Sequence, residues 1–186
     1  MGQQATPTVT GERVTLREYS DADTPLVLSV VDDPLIPLIT SVPATDCATD
    51  VQAYIDRQRS RAVNGEGFQF VVVDNASGLA VGQVGITFRE PSQERASVGY
   101  WIAPQHRGRR YSADALRTLV SWAFQSLAVQ RLELYVEPWN EGSWRTAESA
   151  GFAREGLLRL WEHVGPERRD MYMYSLVRRQ SEPAAG

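Results

Sequence analysis

The sequence predicts a mixed α/β domain of the α+β class, in which helices pack on one mixed sheet of six to seven strands. Hydrophobic alternation and helical spacing follow each other in the order β-α-α-β-β-β-α-β-α-β-β. A helical pattern separates the strand at 96–102 from the strand at 131–137, which implies a right-handed parallel crossover inside the sheet. The length of 186 residues fits one domain.

The predicted boundaries place nearly the whole chain in that domain. Residues 1–11 form a flexible lead-in, residues 12–178 the domain, and residues 179–186 a tail. The hydrophobic content of 42% is ordinary for a globular protein. No internal repeat or low-complexity tract interrupts the domain.

The N-terminal elements follow from local signals. A first strand begins at Arg13, and Ser20 with Asp23 forms the capping pattern that starts a helix ending before Pro34. Apolar residues without a regular period, together with two prolines, predict a covering loop over 34–43.

The remaining elements rest on the same two periodicities. The turn Asn75–Gly78 predicts a hairpin between two of the strands. The helices are predicted from about 45–50 to 64, at 109–127 and at 143–150. The strands are predicted at 68–74, 79–88, 96–102, 131–137, 152–161 and 169–177.

Composition excludes several classes of protein. The net charge of −4 argues against a nucleic-acid binder, and no apolar run approaches the ~18 residues that span a membrane. The polar N-terminus is not a secretory signal. One cysteine, Cys47, with two histidines, His106 and His163, excludes an internal disulfide and argues against a metal site. We therefore expect a cytoplasmic protein without metal, nucleic-acid or membrane partners.

The segment from Ser97 to Leu116 carries the strongest functional signal. A strand pattern leads into the turn Ala103–Pro104, a loop rich in arginine and glycine (106–110) and the start of an amphipathic helix. The first turn of a helix has unpaired N–H groups and a partial positive charge. This order of elements therefore predicts a phosphate-binding site.

A second segment, NEGSWRTAESAGF at Asn140–Phe152, follows about thirty residues later. The order of the two segments resembles the GNAT superfamily of acetyl-CoA-dependent N-acetyltransferases, and within it the Rim-type (RimJ/RimL-like) branch that acetylates the N-termini of ribosomal proteins. The resemblance covers roughly residues 12–178. It implies acetyl-CoA as cofactor, direct transfer to a primary amine of a protein N-terminus or a small molecule, and a possible homodimer.

The family's pyrophosphate loop reads Arg/Gln-x-x-Gly-x-Gly/Ala. The matching residues here are Arg107, Gly108, Arg109, Arg110, Tyr111 and Ser112. Arg110 stands in a glycine place and Ser112 in the Gly/Ala place. In the preferred interpretation Arg110 has ordinary helical dihedrals, donates its N–H and adds a cation. In the alternative its side chain crowds the site.

The resemblance also assigns the remaining cofactor contacts. The main-chain groups of Trp101, Ile102 and Ala103 would pair with the pantetheine arm as an added strand would. Asn140 would bind the pantetheine or anchor the splayed strand. Ser143 would lie beside the cofactor sulfur and donate to the departing thiolate. Both residues are also good helix N-caps, which is the competing interpretation.

A general base is implied ten residues after Phe152, at Glu162. A partly buried glutamate there would have a raised pKa, as a base near neutrality needs. His163, Glu133 and Glu137 remain alternatives.

A different class of function also stays open. The replacement of glycine by Arg110 fits a non-catalytic acyl-CoA-binding module or sensor. Binding of the cofactor without release of CoA to any amine would favour that function.

Overall fold

The computed structural model describes residues 5–178, except the side chains of residues 90 and 91. The predicted tail at 179–186 lies outside the described residues. The strands are β1 (Val9–Thr10), β2 (Val14–Arg17), β3 (Gly67–Asp74), β4 (Ala80–Glu90), β5 (Arg95–Ile102), β6 (Arg131–Val136), β7 (Ala153–Val164) and β8 (Glu167–Val177). The helices are α1 (Thr24–Leu28), α2 (Ile36–Ile39), α3 (Ala48–Val63), α4 (Tyr111–Ser126) and α5 (Glu141–Ser149).

One mixed sheet runs in the order β1-β2-β3-β4-β5-β6-β8-β7. All neighbouring strands are antiparallel except β5 and β6, which are parallel and joined through α4. The predicted mixed α/β fold and its parallel crossover are thus confirmed. The pairing of β5 with β6 covers only residues 95–97 against 131–133, so the strands separate beyond Ser97.

The sheet has eight strands, one more than the largest number predicted. The additional strand, β1, lies within the predicted lead-in and pairs Val9 with Leu16. Val9 is partly buried against the core, which explains why this short segment is ordered. Gly11 turns the chain where a Cβ atom would lie 2.2 Å from Thr118 Oγ1. The turn therefore depends on glycine.

The N-terminal helical region differs from the prediction in two places. Helix α1 ends at Leu28 and turns follow it, so the predicted helix up to Pro34 is wrong. The capping box of Ser20 and Asp23 is present, as expected. The segment predicted as a loop contains the single turn α2, because Asp33 Oδ1 accepts hydrogen bonds from the backbone N–H groups of Leu35 and Ile36, both at 2.9 Å. This carboxylate supplies the cap that composition alone did not reveal.

Helices cover both faces of the sheet. Helix α4 packs through Leu116 and Leu119 onto one face, in a core that includes Phe70 and Ile86. The N-terminal helices form a second core on the opposite face, around Tyr54. No helix within residues 5–178 combines the length and apolar character needed to cross a membrane.

The β7–β8 hairpin contains a bulge. The register shifts between Leu158 and Glu162, where four steps along β7 match only two along β8. Leu160 lies in the bulge with φ 48°, and its N–H donates to Asp170 Oδ1 at 2.7 Å. Bulges bend a strand and redirect its side chains. Strand β7 continues past the bulge to Val164, beyond its predicted end at residue 161.

Candidate functional site

The loop between β5 and α4 has a backbone shaped by two left-handed residues. Gly108 has φ 77°, and Arg110, the N-cap of α4, has φ 63° and ψ 15°. The expectation of ordinary helical dihedrals at Arg110 is therefore wrong. Arg110 adopts the conformation that glycine occupies without steric cost, which explains physically why a glycine is expected at this place.

The loop leaves its amides free. Within the described part of the chain, the N–H groups of Gly108, Arg109 and Arg110 donate to no protein acceptor. The N–H groups of Tyr111 and Ser112 belong to the first turn of α4 and have no partner inside the helix. Successive free amides at a helix N-terminus suit a pyrophosphate.

The side chains of this loop have different roles. Arg107 NH2 lies 2.9 Å from Asp33 Oδ2, and Arg107 Nε donates to the Ile102 carbonyl at 3.1 Å. Burial opposes ionisation of Asp33, but hydrogen bonds from two backbone amides and from Arg107 lower its pKa overall. Arg107 thus braces the loop against the segment before α2, whereas Arg109 and Arg110 are exposed.

Tyr111 and Ser112 connect the loop to the fold. Tyr111 is 8% exposed and packs in the core. Ser112 Oγ lies 3.3 Å from Thr146 Oγ1, which links α4 to α5. The small side chain at residue 112 keeps this approach close.

The separation of β5 from β6 exposes main-chain groups on alternate residues. The Ala103 N–H donates to the Val81 carbonyl at 3.0 Å, and Trp101 pairs with Gln83, so both face β4. The prediction that Trp101 and Ala103 offer free main-chain groups to the pantetheine arm is therefore wrong. Because groups alternate along a strand, those of Ile102 and Tyr100 face the opening. Trp101 is 4% exposed and packs in the second core.

Three residues meet at this opening. Asn140 caps α5, with its Oδ1 accepting from the Ser143 N–H at 3.2 Å. The Tyr100 hydroxyl lies 2.9 Å from Ser143 Oγ and 3.1 Å from the Ser143 carbonyl. Burial raises the pKa of Tyr100, more than its bond to Ser143 lowers it, so the phenol is protonated at neutral pH. Tyr100 was missed because its partner is 43 residues away.

A cavity of about 470 Å³ connects the two faces of the sheet through the opening. Tyr100, Asn140 and Ser143 line it at the opening. Gln69 and Gln83 form its floor on the side of α3, where Gln83 Nε2 donates to Gln69 Oε1 at 3.0 Å. Two buried tyrosine hydroxyls donate to Gln83 Oε1 and fix this floor.

Carboxylates lie at the β6–β7 side of the cavity. Glu162 lines the cavity but is exposed, so the expectation of a partly buried base is wrong. The bulge in β7 places it at the rim. Glu137 also lines the cavity, is 8% exposed and lies 3.9 Å from Arg169 Nε. Glu133 lies outside the lining and is bonded to Arg131 at 2.8 Å.

One further feature of this wall, the position of Trp161, was not predicted. The ring of Trp161, which lies within the bulged part of β7, stacks on Tyr135 with centroids 5.7 Å apart. His163 lies beside Glu162 in the lining and is exposed. A Pro or Gly signal would have marked the bulge, but the sequence has neither between 157 and 164.

Comparison with known proteins supports the family suggested by this geometry. A family model described as an acetyltransferase (GNAT) domain matches residues 13–153. An uncharacterized N-acetyltransferase, p20 of Bacillus licheniformis, is 28% identical over 170 residues, which cover 91% of this chain and 95% of that protein. The ribosomal-protein-serine acetyltransferase of Escherichia coli is 27% identical over 97 residues, 52% of this chain and 54% of that protein.

Solved structures show the same architecture. Mycobacterium smegmatis RimJ in complex with CoA-disulfide superposes with a TM-score of 0.80 at 25% identity, over 92% of this chain and 87% of that one. The resemblance stated from the two sequence segments is thereby confirmed. The chain belongs to the GNAT family of acetyltransferases, enzymes that take their acetyl group from acetyl-CoA.

Proposed function

We propose that this protein transfers acetyl from acetyl-CoA directly to a primary amine in a ternary complex. One observation carries the proposal: a single cavity joins the opening between β5 and β6, with Ser143 and Asn140, to the face of the sheet covered by α2 and α3. The cofactor would enter from the α4 face and the amine from the opposite face.

The cofactor would be held mainly by backbone groups. The free amides from Gly108 to Ser112 would bind the pyrophosphate, with Arg109 and Arg110 adding positive charge. The main-chain groups of Tyr100 and the N–H of Ile102 would pair with the pantetheine arm as an added strand does, since the Ile102 carbonyl already accepts from Arg107 Nε. Acetyl-CoA supplies the reactive thioester, and Asn140 would position its arm.

The amine must lose a proton to react. At pH 7 this costs about 1 kcal/mol for a peptide α-amine and about 4.6 kcal/mol for lysine, from their ordinary pKa values. An exposed glutamate suffices for the smaller cost, so Glu162 at the cavity rim is the proposed base for an α-amine. Glu137, buried in the same wall, is the alternative.

The hydroxyl groups of Ser143 and Tyr100 would together stabilise the leaving thiolate. Ser143 Oγ–H would donate to the departing thiolate while the Tyr100 hydroxyl donates to Ser143 Oγ. Tyr100 would act through Ser143 and is therefore a positioning residue.

Direct transfer needs no covalent enzyme intermediate. The only cysteine, Cys47, is exposed and lies outside the cavity lining. Relatives named for ribosomal substrates, such as the Escherichia coli enzyme, support a protein N-terminus as the acceptor. We place the reaction in the cytoplasm, because a chain with one cysteine is typical of a reducing compartment.

The test combines binding and turnover. Calorimetry with acetyl-CoA establishes the cofactor site, and release of CoA thiol is measured with peptides bearing free α-amines and with small amines. Glu162→Gln should lower kcat/KM ten- to a hundredfold, because the attacking amine loses its proton acceptor. Exposed Glu18, outside the cavity lining, gives the matched control Glu18→Gln.

Two outcomes would contradict the proposal. Binding of acetyl-CoA without transfer to any amine would favour the non-catalytic acyl-CoA-binding module. A full kcat/KM in Glu162→Gln, with the loss appearing instead in Glu137→Gln, would move the base to Glu137.

A further inference from the structure

One end of the cavity lies where α3 ends, β3 begins and β4 ends. Gly67 pairs with Thr87, and the Phe88 N–H donates to the Glu66 carbonyl at 2.9 Å. Arg61, near the end of α3, and Arg89, near the end of β4, both line the cavity. The chain thus brings two guanidinium groups to the same end.

These two arginines lack the partners that other arginines of the fold have. Within the described part of the chain, neither has a carboxylate oxygen within 4.0 Å. Arg61 Nε is buried and has no hydrogen-bond partner there. By contrast, Arg107 lies 2.9 Å from Asp33. A buried donor without a partner is costly, so this end is complementary to an anion.

Arg89 is held in place by one bond. Its Nε donates to Ser97 Oγ at 3.2 Å, and its terminal nitrogens have no hydrogen-bond partner among the described side chains and backbone groups. Paired terminal nitrogens suit the two oxygens of a carboxylate.

The distance from this end to the reaction centre limits the ligand. Ser97 and Tyr100 are three residues apart on β5, about 10 Å at the rise of a strand. In a free amino acid the α-carboxylate lies one carbon from the amine. It therefore cannot reach the two arginines while the amine lies at the reaction centre. An acidic side chain two residues into an extended peptide spans such a distance, at ~3.3–3.6 Å per residue.

We propose that Arg61 and Arg89 bind an acidic side chain at the second or third residue of a peptide acceptor whose α-amine is acetylated. This proposal rests on the proposed function and specifies its acceptor. Space along the path is available, because a Cβ atom added at Gly99 would meet nothing within 4 Å. Polyamines and lysine-rich N-termini would be rejected by like charge.

The experiment compares three peptides that differ at one side chain. Ala-Ala-Glu-Ala-Ala-amide, its Gln counterpart and its Lys counterpart are assayed for acetylation of the α-amine. Wild type should prefer Glu over Gln about tenfold in kcat/KM, since a hydrogen bond from a guanidinium to a carboxylate is stronger than one to a neutral amide. The double variant of Arg61→Gln and Arg89→Gln should bring the ratio near one.

A control variant separates a specific site from general charge. Arg59 lies on the same helix but pairs with Asp21 at 3.5 Å and does not line the cavity. Arg59→Gln should keep the tenfold preference. Equal loss in Arg59→Gln would overturn the proposal, because it would indicate a general field effect.

A binding measurement keeps this inference distinct from the proposed function. Calorimetry with the three peptides, at saturating CoA, should show about tenfold tighter binding of the Glu peptide, lost in the double variant. Transfer at equal rates to all three peptides would overturn the anion site but retain the transferase. Selective binding without any transfer would retain the anion site and overturn the proposed function.

Discussion

The proposed cofactor loop and the proposed acceptor cavity would recognise their ligands by different means. The loop, Arg107–Ser112, spans six consecutive residues and offers backbone amides, which depend on conformation rather than side-chain identity. The cavity takes its side chains from helices α2, α3 and α5 and from six strands. We therefore expect the loop to tolerate Arg110 in a glycine place, and we expect the dispersed side chains of the cavity to select the acceptor.

The largest effect is expected at the junction of the two regions. Ser143→Ala should lower the single-turnover rate of acetyl transfer about a hundredfold, because the thiolate loses its hydrogen-bond donor. Tyr100→Phe should cost less, and the double variant little more than Ser143→Ala. The dissociation constant for acetyl-CoA should change less than about twofold, since backbone groups bind the cofactor.

A matched control lies on the same helix. Ser149 is exposed, and its hydroxyl donates to the Thr146 carbonyl. Ser149→Ala should keep the full rate. Strictly additive losses in Ser143→Ala and Tyr100→Phe would show that the two hydroxyls act independently.

The next test concerns the hydrogen bonds that join the first turn of α4, directly after the cofactor loop, to β2. Asp114, buried in the first turn of α4, accepts hydrogen bonds from the Arg13 and Val14 N–H groups at 2.8 and 3.1 Å. Asp114→Ala leaves both amides without their acceptor and should lower the free energy of unfolding by about 2–3 kcal/mol in urea. Asp114→Asn, which keeps an acceptor oxygen, should cost less. Equal costs would contradict this account.

The sequence supports the cofactor side better than the acceptor side for a physical reason. Strand, loop and helix N-terminus are adjacent in the chain, so periodicity and the Arg107–Ser112 motif locate them together. Even there, the expectation of helical dihedrals at Arg110 was wrong, because an arginine gives no signal for positive φ.

The acceptor side depends on pairings far apart in the chain. Tyr100 meets Ser143 only through the crossover, and Arg61 and Arg89 line the same cavity only because β3 pairs with β4. The exposure of Glu162 follows from a bulge with no glycine or proline to mark it. These are tertiary contacts, and local hydrophobic periodicity does not predict them.

Arg110 tests directly whether conformation or side chain matters in the loop. A non-glycine residue in the left-handed region costs about 1–2 kcal/mol, and glycine loses about 0.4–1 kcal/mol through the unfolded chain. Arg110→Gly should therefore stabilise the fold by about 1 kcal/mol or less. Arg110→Val should destabilise it, because a β-branched residue fits this conformation poorly.

Calorimetry completes this test of the loop. Acetyl-CoA should bind Arg110→Gly within about threefold of wild type, because the amides stay in place and only an exposed cation is lost. Binding that improves a hundredfold on the change to glycine would mean instead that the arginine crowds the site.

The smallest effect concerns the outer strands that carry the acceptor wall. Glu155, at the start of β7, lies 2.7 Å from Arg131 NH2 on β6. Hydrogen bonds from Arg131 and then Ser175 lower the pKa of Glu155 from 4.5 to about 2. Because the folded pKa lies below the unfolded one, this bond stabilises the fold fully above about pH 4.5 and is lost as the pH falls towards 2. With the Glu155 side chain 43% exposed, the contribution is about 1 kcal/mol or less.

Urea unfolding between pH 3 and 7 measures this bond when wild type is compared with Glu155→Gln. The difference in unfolding free energy should shrink as the pH drops below about 4.5, because protonation removes the same ion pair that the substitution removes. Asp23, whose pKa is also lowered as its bonds to Arg17 outweigh burial, contributes equally to both proteins and cancels. A difference that stays constant across this range would mean that Glu155 holds the wall by packing rather than by charge.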